Sequence, residues 1–211
     1  MNLLLLQPHD HWLDDRSVHL DDQRAEHIRT VLKPSVGDAL RAGMVGGQLG
    51  RAVITSLTSE GVCLQVNLQD PPPPRHHFDI VLALPRPKML RRLLRTVAEF
   101  GVANLHLINS ARVEKSFWHS PLLAKACLEE ALLAGMERAS DTLMPLVHQH
   151  KRFRPFVEDH LVELCAGRPC LVAQMGSVDA LRDRSPAPGV VLVGPEGGFV
   201  PFELDLLQRV I

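Results

Sequence analysis

Over the first seventy positions, apolar residues come in short bursts separated by turn signals. Leu3–Leu6, Ala39–Arg41, Ala52–Leu57 and Val62–Leu68 have the length and composition of β-strands, with Gly37-Asp38, Gly46-Gly47 and Glu60-Gly61 between them. Asp21–Leu32 predicts a helix between the first two strands, and the whole segment predicts a small β-barrel. Pro71–Pro74 then breaks the pattern, because four successive prolines neither continue a helix nor join a ladder and favour a stiff extended spacer. Beyond it the rhythm changes. Phe78–Leu84 is a nearly unbroken apolar run, as expected of a parallel strand covered on both faces. Pro87 sits at a first helical position, Leu90, Leu93, Leu94 and Val97 form a stripe, and Gly101 follows Phe100 as a stop. A strand at Val102–Ile108 precedes a helix capped by Ser120, with Pro121 behind it, that runs to about Arg138. Leu146–Val147 (strand), Phe156–Leu164 (helix), Cys170–Gln174 and Val190–Val193 (strands) complete the alternation, which predicts an α/β domain with a parallel sheet.

The expected organisation is therefore a barrel over residues 1–70, a proline-rich linker over 71–76 and an α/β domain over 77–211, with no internal repeat. A last helix from Pro201 carries Phe202, Leu206, Leu207 and Val210 on one face. It reaches Ile211 without a glycine, proline or basic cap, and reads as a helix of a longer chain.

Composition narrows the functional classes. Hydrophobic residues at 45% and charged residues at 22% are ordinary globular values. No apolar run is long enough to span a bilayer, and Met1–Leu6 lacks the basic lead of a signal peptide, so a cytoplasmic protein is expected. Cys63, Cys127, Cys165 and Cys170 are scattered and read as reduced thiols. His9/His11 and His148/His150 have no surrounding carboxylate or cysteine set, so no metal site is expected. The net charge of −1 gives no global attraction for nucleic acid, and the absence of tyrosine argues against a base-stacking platform, so any such affinity must come from local patches.

The chemistry concentrates at Val190–Glu203, where a buried strand runs into Gly194-Pro195-Glu196-Gly197-Gly198-Phe199 and Pro201 starts a helix. Ligands of open α/β sheets bind beyond the carboxyl ends of strands, and glycines there let backbone approach a ligand. The lysine of a phosphate-binding loop is missing, and no Lys or Arg lies near Glu196 in sequence. A carboxylate in such a turn suits a cationic ligand; it also suits a plain tight turn in which Glu196 favours the positive helix N-terminus.

Gly194–Phe199 followed by Glu203 resembles the signature of the RsmE-type, SPOUT-class rRNA methyltransferases. Three other stretches agree in order and spacing. His27–Leu32 with Gly37-Asp38 resembles the family's N-terminal RNA-binding barrel, which is similar to PUA domains; Lys88–Gly101 resembles its first Rossmann-like helix; and Gly135-Met136-Glu137-Arg138 through Asp141-Thr142 and Pro145 resembles the segment after its central helix. The resemblance implies a PUA-like barrel followed by a SPOUT α/β domain, with a trefoil knot in the full-length family, and a homodimer acting on 16S rRNA. It also implies S-adenosylmethionine held in bent form by Ala173, Gln174, Met175 and Gly176 together with Gly194, Pro195, Glu196, Gly197, Gly198 and Phe199. A further Ile-Leu-Arg-like loop, which in the family lies beyond the final helix and completes the knot, is not in this sequence.

Lys88, Arg91, Arg92 and Arg95 fall at helical spacing opposite the leucines, an arrangement that suits a phosphate backbone as well as a solvated helix face. Arg24, His27, Arg29, Lys33 and Arg41 in the barrel, and Lys115, join them as RNA-binding candidates, mainly through the resemblance. Arg112 and Arg138 are the candidates for contact with the reacting base, and the proton acceptor is left open. The implied reaction is methyl transfer to N3 of a uridine. Two other classes stay open: a non-catalytic RNA-binding protein with a degenerate fold, and an α/β enzyme using a nucleotide.

Overall fold

The short apolar runs of the N-terminal segment become strands of one curled sheet. The computed structural model describes residues 2–176 and 188–211, which divide into two units, Met1–Pro74 with Leu133–Met144, and Arg75–Leu132 with Pro145–Ile211.

In the first unit, β1 (Leu4–Leu6), β2 (His11–Trp12), β3 (Ser17–Leu20), β4 (Ala39–Met44), β5 (Leu49–Leu57) and β6 (Val62–Asp70) stand in the order β1-β4-β5-β6-β3-β2. Only β1–β4 is parallel. The sheet is a half-barrel with β1 and β2 as its edges. Its concave face buries Leu4, Leu6, Val18, Leu20, Ile54 and Leu64 around Ile28. The helix expected at Asp21–Leu32 is α1 (Gln23–His27), capped by the Asp22 carboxylate on the Arg24 N–H, and it continues as a wider π turn over Ile28–Leu32 that stops at Lys33 in a left-handed conformation. The segment Leu133–Met144 fastens to the β4–β5 hairpin of this unit. The Thr142 hydroxyl donates to the Gly47 carbonyl at 2.6 Å, and the Thr142 carbonyl accepts from the Gly46 N–H at 2.7 Å. A Cβ on Gly43 would stand 2.5 Å from Thr142 Cγ2, so only glycine admits this seat.

The second unit is built on five parallel strands, β7 (Phe78–Ala83), β8 (Asn104–Ile108), β9 (Leu146–His150), β10 (Cys170–Ala173) and β11 (Gly189–Val193), in the order β10-β11-β7-β8-β9. The central strands bury Val81, Leu82, Leu105, Leu107, Val190 and Leu192, as their unbroken apolar runs require. Helix α2 (Pro87–Glu99) starts on Pro87 and buries Leu90, Leu94 and Val97. The Ser120 hydroxyl does cap a turn, accepting from the Leu122 N–H, but that turn is a 3₁₀ element over Pro121–Leu123. Ala124 is extended, so α3 (Lys125–Ala139) begins later than expected. Helices α4 (Phe153–Pro155), α5 (Val162–Cys165) and α6 (Pro201–Val210) complete the unit, with a π turn over Phe156–Leu161 joining the first two. Among the described residues no helix is long and apolar enough to cross a membrane.

One face of β8 and β9 carries a stack of imidazoles. His106 lies parallel to His148 with centroids 4.5 Å apart, and its Nδ1 is 3.2 Å from Nε2 of His150; Phe156 and His160 lie against His150. Burial, helped by the charges of His148 and His150, pushes His106 down to about 4 against the partial opposing effect of Asp79, and burial lowers His150 too. A histidine whose folded value lies below its unfolded value contributes stability that is complete above the unfolded pKa near 6.5 and lost as the pH falls toward the folded value. The unfolding free energy from urea titration is therefore expected to be level above about pH 7 and to drop by on the order of 1–2 kcal/mol as the pH falls from about 6.5 toward about 4, a figure reduced for partial solvent screening. A His106→Gln chain should lose much of that drop; an equally steep one would place the acid sensitivity elsewhere.

Candidate active site

Strand β7 is where the order of the sheet turns back on itself. The chain runs outward from it through β8 to β9, then returns to fill β10 and β11 on its other side. In open α/β sheets this switch point leaves a crevice at the strands' carboxyl ends. Here β11 delivers the glycine turn into that crevice. The Gly198 N–H donates to the Pro195 carbonyl at 2.7 Å, and Gly198 has φ +73°, which a side chain tolerates poorly. The buried Phe199 ring folds back so closely that a Cβ on Gly194 would lie 3.1 Å from it.

Glu203 anchors this loop. Although only 3% exposed, its carboxylate accepts from the Val200 N–H (3.0 Å), the Ser110 hydroxyl (3.1 Å) and the Ala111 N–H (2.7 Å). The first bond is half of a capping box at the start of α6, since valine offers no oxygen for the other half. The other two tie the glycine turn to the residues that follow β8. The sequence marked Glu203 only as part of a signature; its structural role depends on contacts 92 and 93 residues distant.

Two cavities border the turn. One, of about 370 Å³, lies between it and Ala173, Gln174 and Met175 at the end of β10. The other, of about 440 Å³, lies between it and the ends of β7 and β8, with Arg86, Met89, Leu93, Arg112, Glu114 and Phe117 on its walls. Both volumes are in the range of small-molecule sites. The smaller cavity is walled by the exposed residues Ala173–Met175, by Gly194, Gly197 and Gly198, and by Glu196. These residues could hold a small ligand of the size of S-adenosylmethionine. Gly176, expected in the same cradle, follows at φ +80° and is not on the cavity wall.

The surroundings of Glu196 correct the sequence reading. Arg86, the residue preceding α2, places Nη2 3.1 Å from Glu196 Oε2, with both side chains about two-thirds exposed. Arg112 donates Nη1 to the Gly197 carbonyl and, at 3.4 Å, to the Gly198 carbonyl. The glycine turn thus holds two arginines, Arg86 on its carboxylate and Arg112 on its carbonyls, and Arg86 lies more than a hundred positions from Glu196 in sequence.

The remaining predicted residues scatter. Lys88, Arg91, Arg92 and Arg95 share the exposed face of α2, Arg91 standing 3.7 Å from Glu130, and Lys115 is exposed at the start of the 3₁₀ turn Lys115–His119. Arg138 is exposed near the end of α3, in the segment counted with the first unit, while Arg112 lies in the second. Arg24 departs from its expected place on an open RNA surface. Its side chain is 15% exposed, ion-paired to Asp10 and Asp22 at 2.7 Å each and bonded to the Leu5 carbonyl, so it clasps the fold. Arg29 donates to the Thr58 and Ser59 carbonyls, and His27 is half-buried. Arg41 is exposed and directly opposite Arg51 across β4 and β5. Like charges so paired are unfavourable by themselves, and sequence spacing gives no sign of the second arginine. Among the described residues, no group of three or more His, Cys, Asp or Glu side chains could hold a metal ion.

Comparison with known proteins places this geometry among relatives. The profile of the RNA methyltransferase domain family matches residues 71–210. A ribosomal RNA small subunit methyltransferase E of Treponema pallidum is 31% identical over 162 residues, which are 76% of this chain and 60% of that protein, so the match spans less than two thirds of the relative's length. A second, the methyltransferase E 1 of Borreliella burgdorferi, is 21% identical over 99% of this chain and 86% of its own. The crystal structure of a ribosomal RNA small subunit methyltransferase E from Neisseria gonorrhoeae bound to S-adenosyl methionine shares the fold, with a TM-score of 0.73 over 100% of this chain and 86% of that one at 18% identity.

Proposed function

The chain belongs to the RNA methyltransferase family, and we propose that it transfers a methyl group from S-adenosylmethionine to N3 of a specific uridine in 16S rRNA of the small ribosomal subunit. The observation that carries this reading is the glycine turn at the switch point, hung on buried Glu203 and bordered by a cavity on each side. Ala173–Met175 and Gly194–Phe199 hold the cofactor, which when bound supplies an electrophilic methyl group. The named substrate of the Treponema and Borreliella relatives supports rRNA as the acceptor. A cytoplasmic homodimer belongs to the same reading, as does the family's knot.

N3 lies on the Watson–Crick edge, so the uridine must leave its stack to reach the site. The chain's task is then to hold the base in line with the methyl group, an alignment that supplies much of the rate in bimolecular reactions. Arg112, fixed by two loop carbonyls, is placed to stabilise negative charge developing on the base. The exposed row Lys88, Arg91, Arg92 and Arg95, with Lys115 and the pair Arg41/Arg51, grips phosphates.

Calorimetry with S-adenosylmethionine and with ATP, followed by mass spectrometry of unmodified small-subunit rRNA after incubation, tests the proposal. Binding of the first ligand alone and a new 3-methyluridine are expected. Preference for the triphosphate would sink the reading, and donor binding without methyl transfer would leave an RNA-binding protein. Replacing both Arg91 and Arg92 should lower the slope of log affinity against log salt by roughly 2, one counterion per lost phosphate contact; an unchanged slope removes α2 from the RNA surface.

A further inference from the structure

The larger cavity beside the glycine turn carries a pattern of charge that matches one base. The Watson–Crick edge of uracil presents an acceptor, a donor and an acceptor, namely O4, N3–H and O2. The cavity wall includes two donors and an acceptor, Arg86, Arg112 and Glu196, with Arg86 Nη2 3.1 Å from the Glu196 carboxylate and Arg112 on the carbonyl of the next residue, Gly197. Cytosine, with an amino group at position 4 and a bare N3, would set a donor against a guanidinium and a lone pair against a carboxylate. Mismatched polar groups of this kind discriminate strongly. Met89, Leu93 and Phe117 supply apolar surface for the ring.

We propose that this cavity receives the extruded uracil, that Arg86 and Arg112 face its two carbonyl oxygens, and that Glu196 takes the N3 proton. The inference rests on the methyltransferase reading and assigns its proton acceptor. Two carboxylates, Glu114 and Glu196, line the cavity, but only Glu196 also lines the smaller cavity where the cofactor is placed. Among the described residues it is therefore the one carboxylate that lines both cavities. In the transfer, the N3–H bond breaks and an O–H bond forms on Glu196. The electron pair stays on N3 and spreads to O2 and O4, opposite the two guanidinium groups. A carboxylate is a much weaker base than the uracil anion, so the step depends on those charges to hold the anion. Each guanidinium has five N–H donors, so Arg112 can keep its loop carbonyls and still donate to the base. The resting Arg86–Glu196 pair is exposed, hence weakly held and free to rearrange when the base enters.

The test is single-turnover methylation of a small-subunit rRNA transcript by the full chain, comparing Glu196→Gln with Glu114→Gln. Glu196 is exposed, so the amide should not disturb folding. The Glu196→Gln chain is expected to be about 100-fold slower at neutral pH, the usual scale of general-base loss, with RNA affinity within about twofold of the parent. Its rate should climb with alkalinity as N3 ionises unaided, and a transcript made with 5-fluorouridine, whose N3 is more acidic, should recover most of the loss. With no donor present, a 4-thiouridine transcript should cross-link to peptides containing Met89 or Phe117. An unchanged rate, a loss that neither alkali nor 5-fluorouridine repairs, alkaline repair in Glu114→Gln instead, or no cross-link at those peptides would each overturn the inference while leaving the methyltransferase reading intact. A parent chain that binds no S-adenosylmethionine and methylates no rRNA would overturn the reading beneath it.

Discussion

Replacing Glu203 by alanine is expected to lower the unfolding free energy by about 3–5 kcal/mol and to abolish measurable S-adenosylmethionine binding. The carboxylate satisfies three donors from a buried position, with Ser110 and Glu203 each 3% exposed, Val200 half-buried and Ala111 at the solvent edge. A buried donor stripped of its partner costs about 1–3 kcal/mol; the Ser110 hydroxyl bears that cost in full, and the part-buried Ala111 and Val200 N–H groups bear a smaller one each. The Val200 N–H belongs to the start of α6, so the helix frays from the end that supports the glycine turn. Glu203→Gln should cost less, about 2 kcal/mol, because one oxygen still accepts while the new amide N–H confronts a donor. Urea unfolding with and without cofactor measures both effects. A loss below about 1 kcal/mol for alanine would mean that solvent replaces the carboxylate and that the loop is held by other contacts.

Where local pattern dictates structure, the sequence was readable. The apolar runs Phe78–Leu84 and Val190–Val193 are parallel strands, and the stripe Leu90, Leu94 and Val97 is the buried face of α2. The glycine turn, by its own residues, suited a plain tight turn as well as a ligand loop, and only the family resemblance singled it out. The losses came where distant contacts decide. Strands β2 and β3 escaped notice because the charged turn Asp14-Asp15-Arg16 and the two histidines mask an alternation that leaves only Val18 and Leu20 fully buried. The Ser120 cap was real but served one short turn, since Ala124 is extended. Arg24 carries the composition of an RNA contact and the geometry of a clasp, and only Asp10 and Asp22 beside it distinguish the two. Arg86 and Glu196 are an ion pair that no spacing rule reveals, and with them went the premise that the turn is electrostatically isolated. The partner of Glu196 became visible only once the fold had brought Arg86 to it.

Asp79 offers the second large effect, and a way to separate the strength of a buried ion pair from the cost of breaking it. Its carboxylate accepts from Arg168 Nη2 at 2.7 Å and from Asn104 Nδ2 at 2.8 Å, while Nε2 of His148 lies 3.3 Å from Asn104 Oδ1. The chain Arg168–Asp79–Asn104–His148 thereby links β7, β8 and β9 to the turn that leads into β10. Asp79→Ala should cost about 3 kcal/mol, toward the low end for a broken buried pair because the Arg168 side chain is 31% exposed and can rehydrate. The double replacement Asp79→Leu with Arg168→Met should recover to within about 1 kcal/mol of the parent, since apolar residues of similar volume often match or exceed a buried ion pair. With the single replacements Asp79→Leu and Arg168→Met measured beside it, the double variant closes a double-mutant cycle whose interaction energy is the coupling between the two side chains. Cofactor binding distinguishes what the pair is for. Arg168 precedes the strand that ends at Ala173, so if the pair sets the register of β10 on β11, the double variant regains stability while its affinity for S-adenosylmethionine stays reduced. If affinity returns with stability, apolar packing alone positions the cradle, and the ion pair serves only to satisfy charges that the fold has already buried.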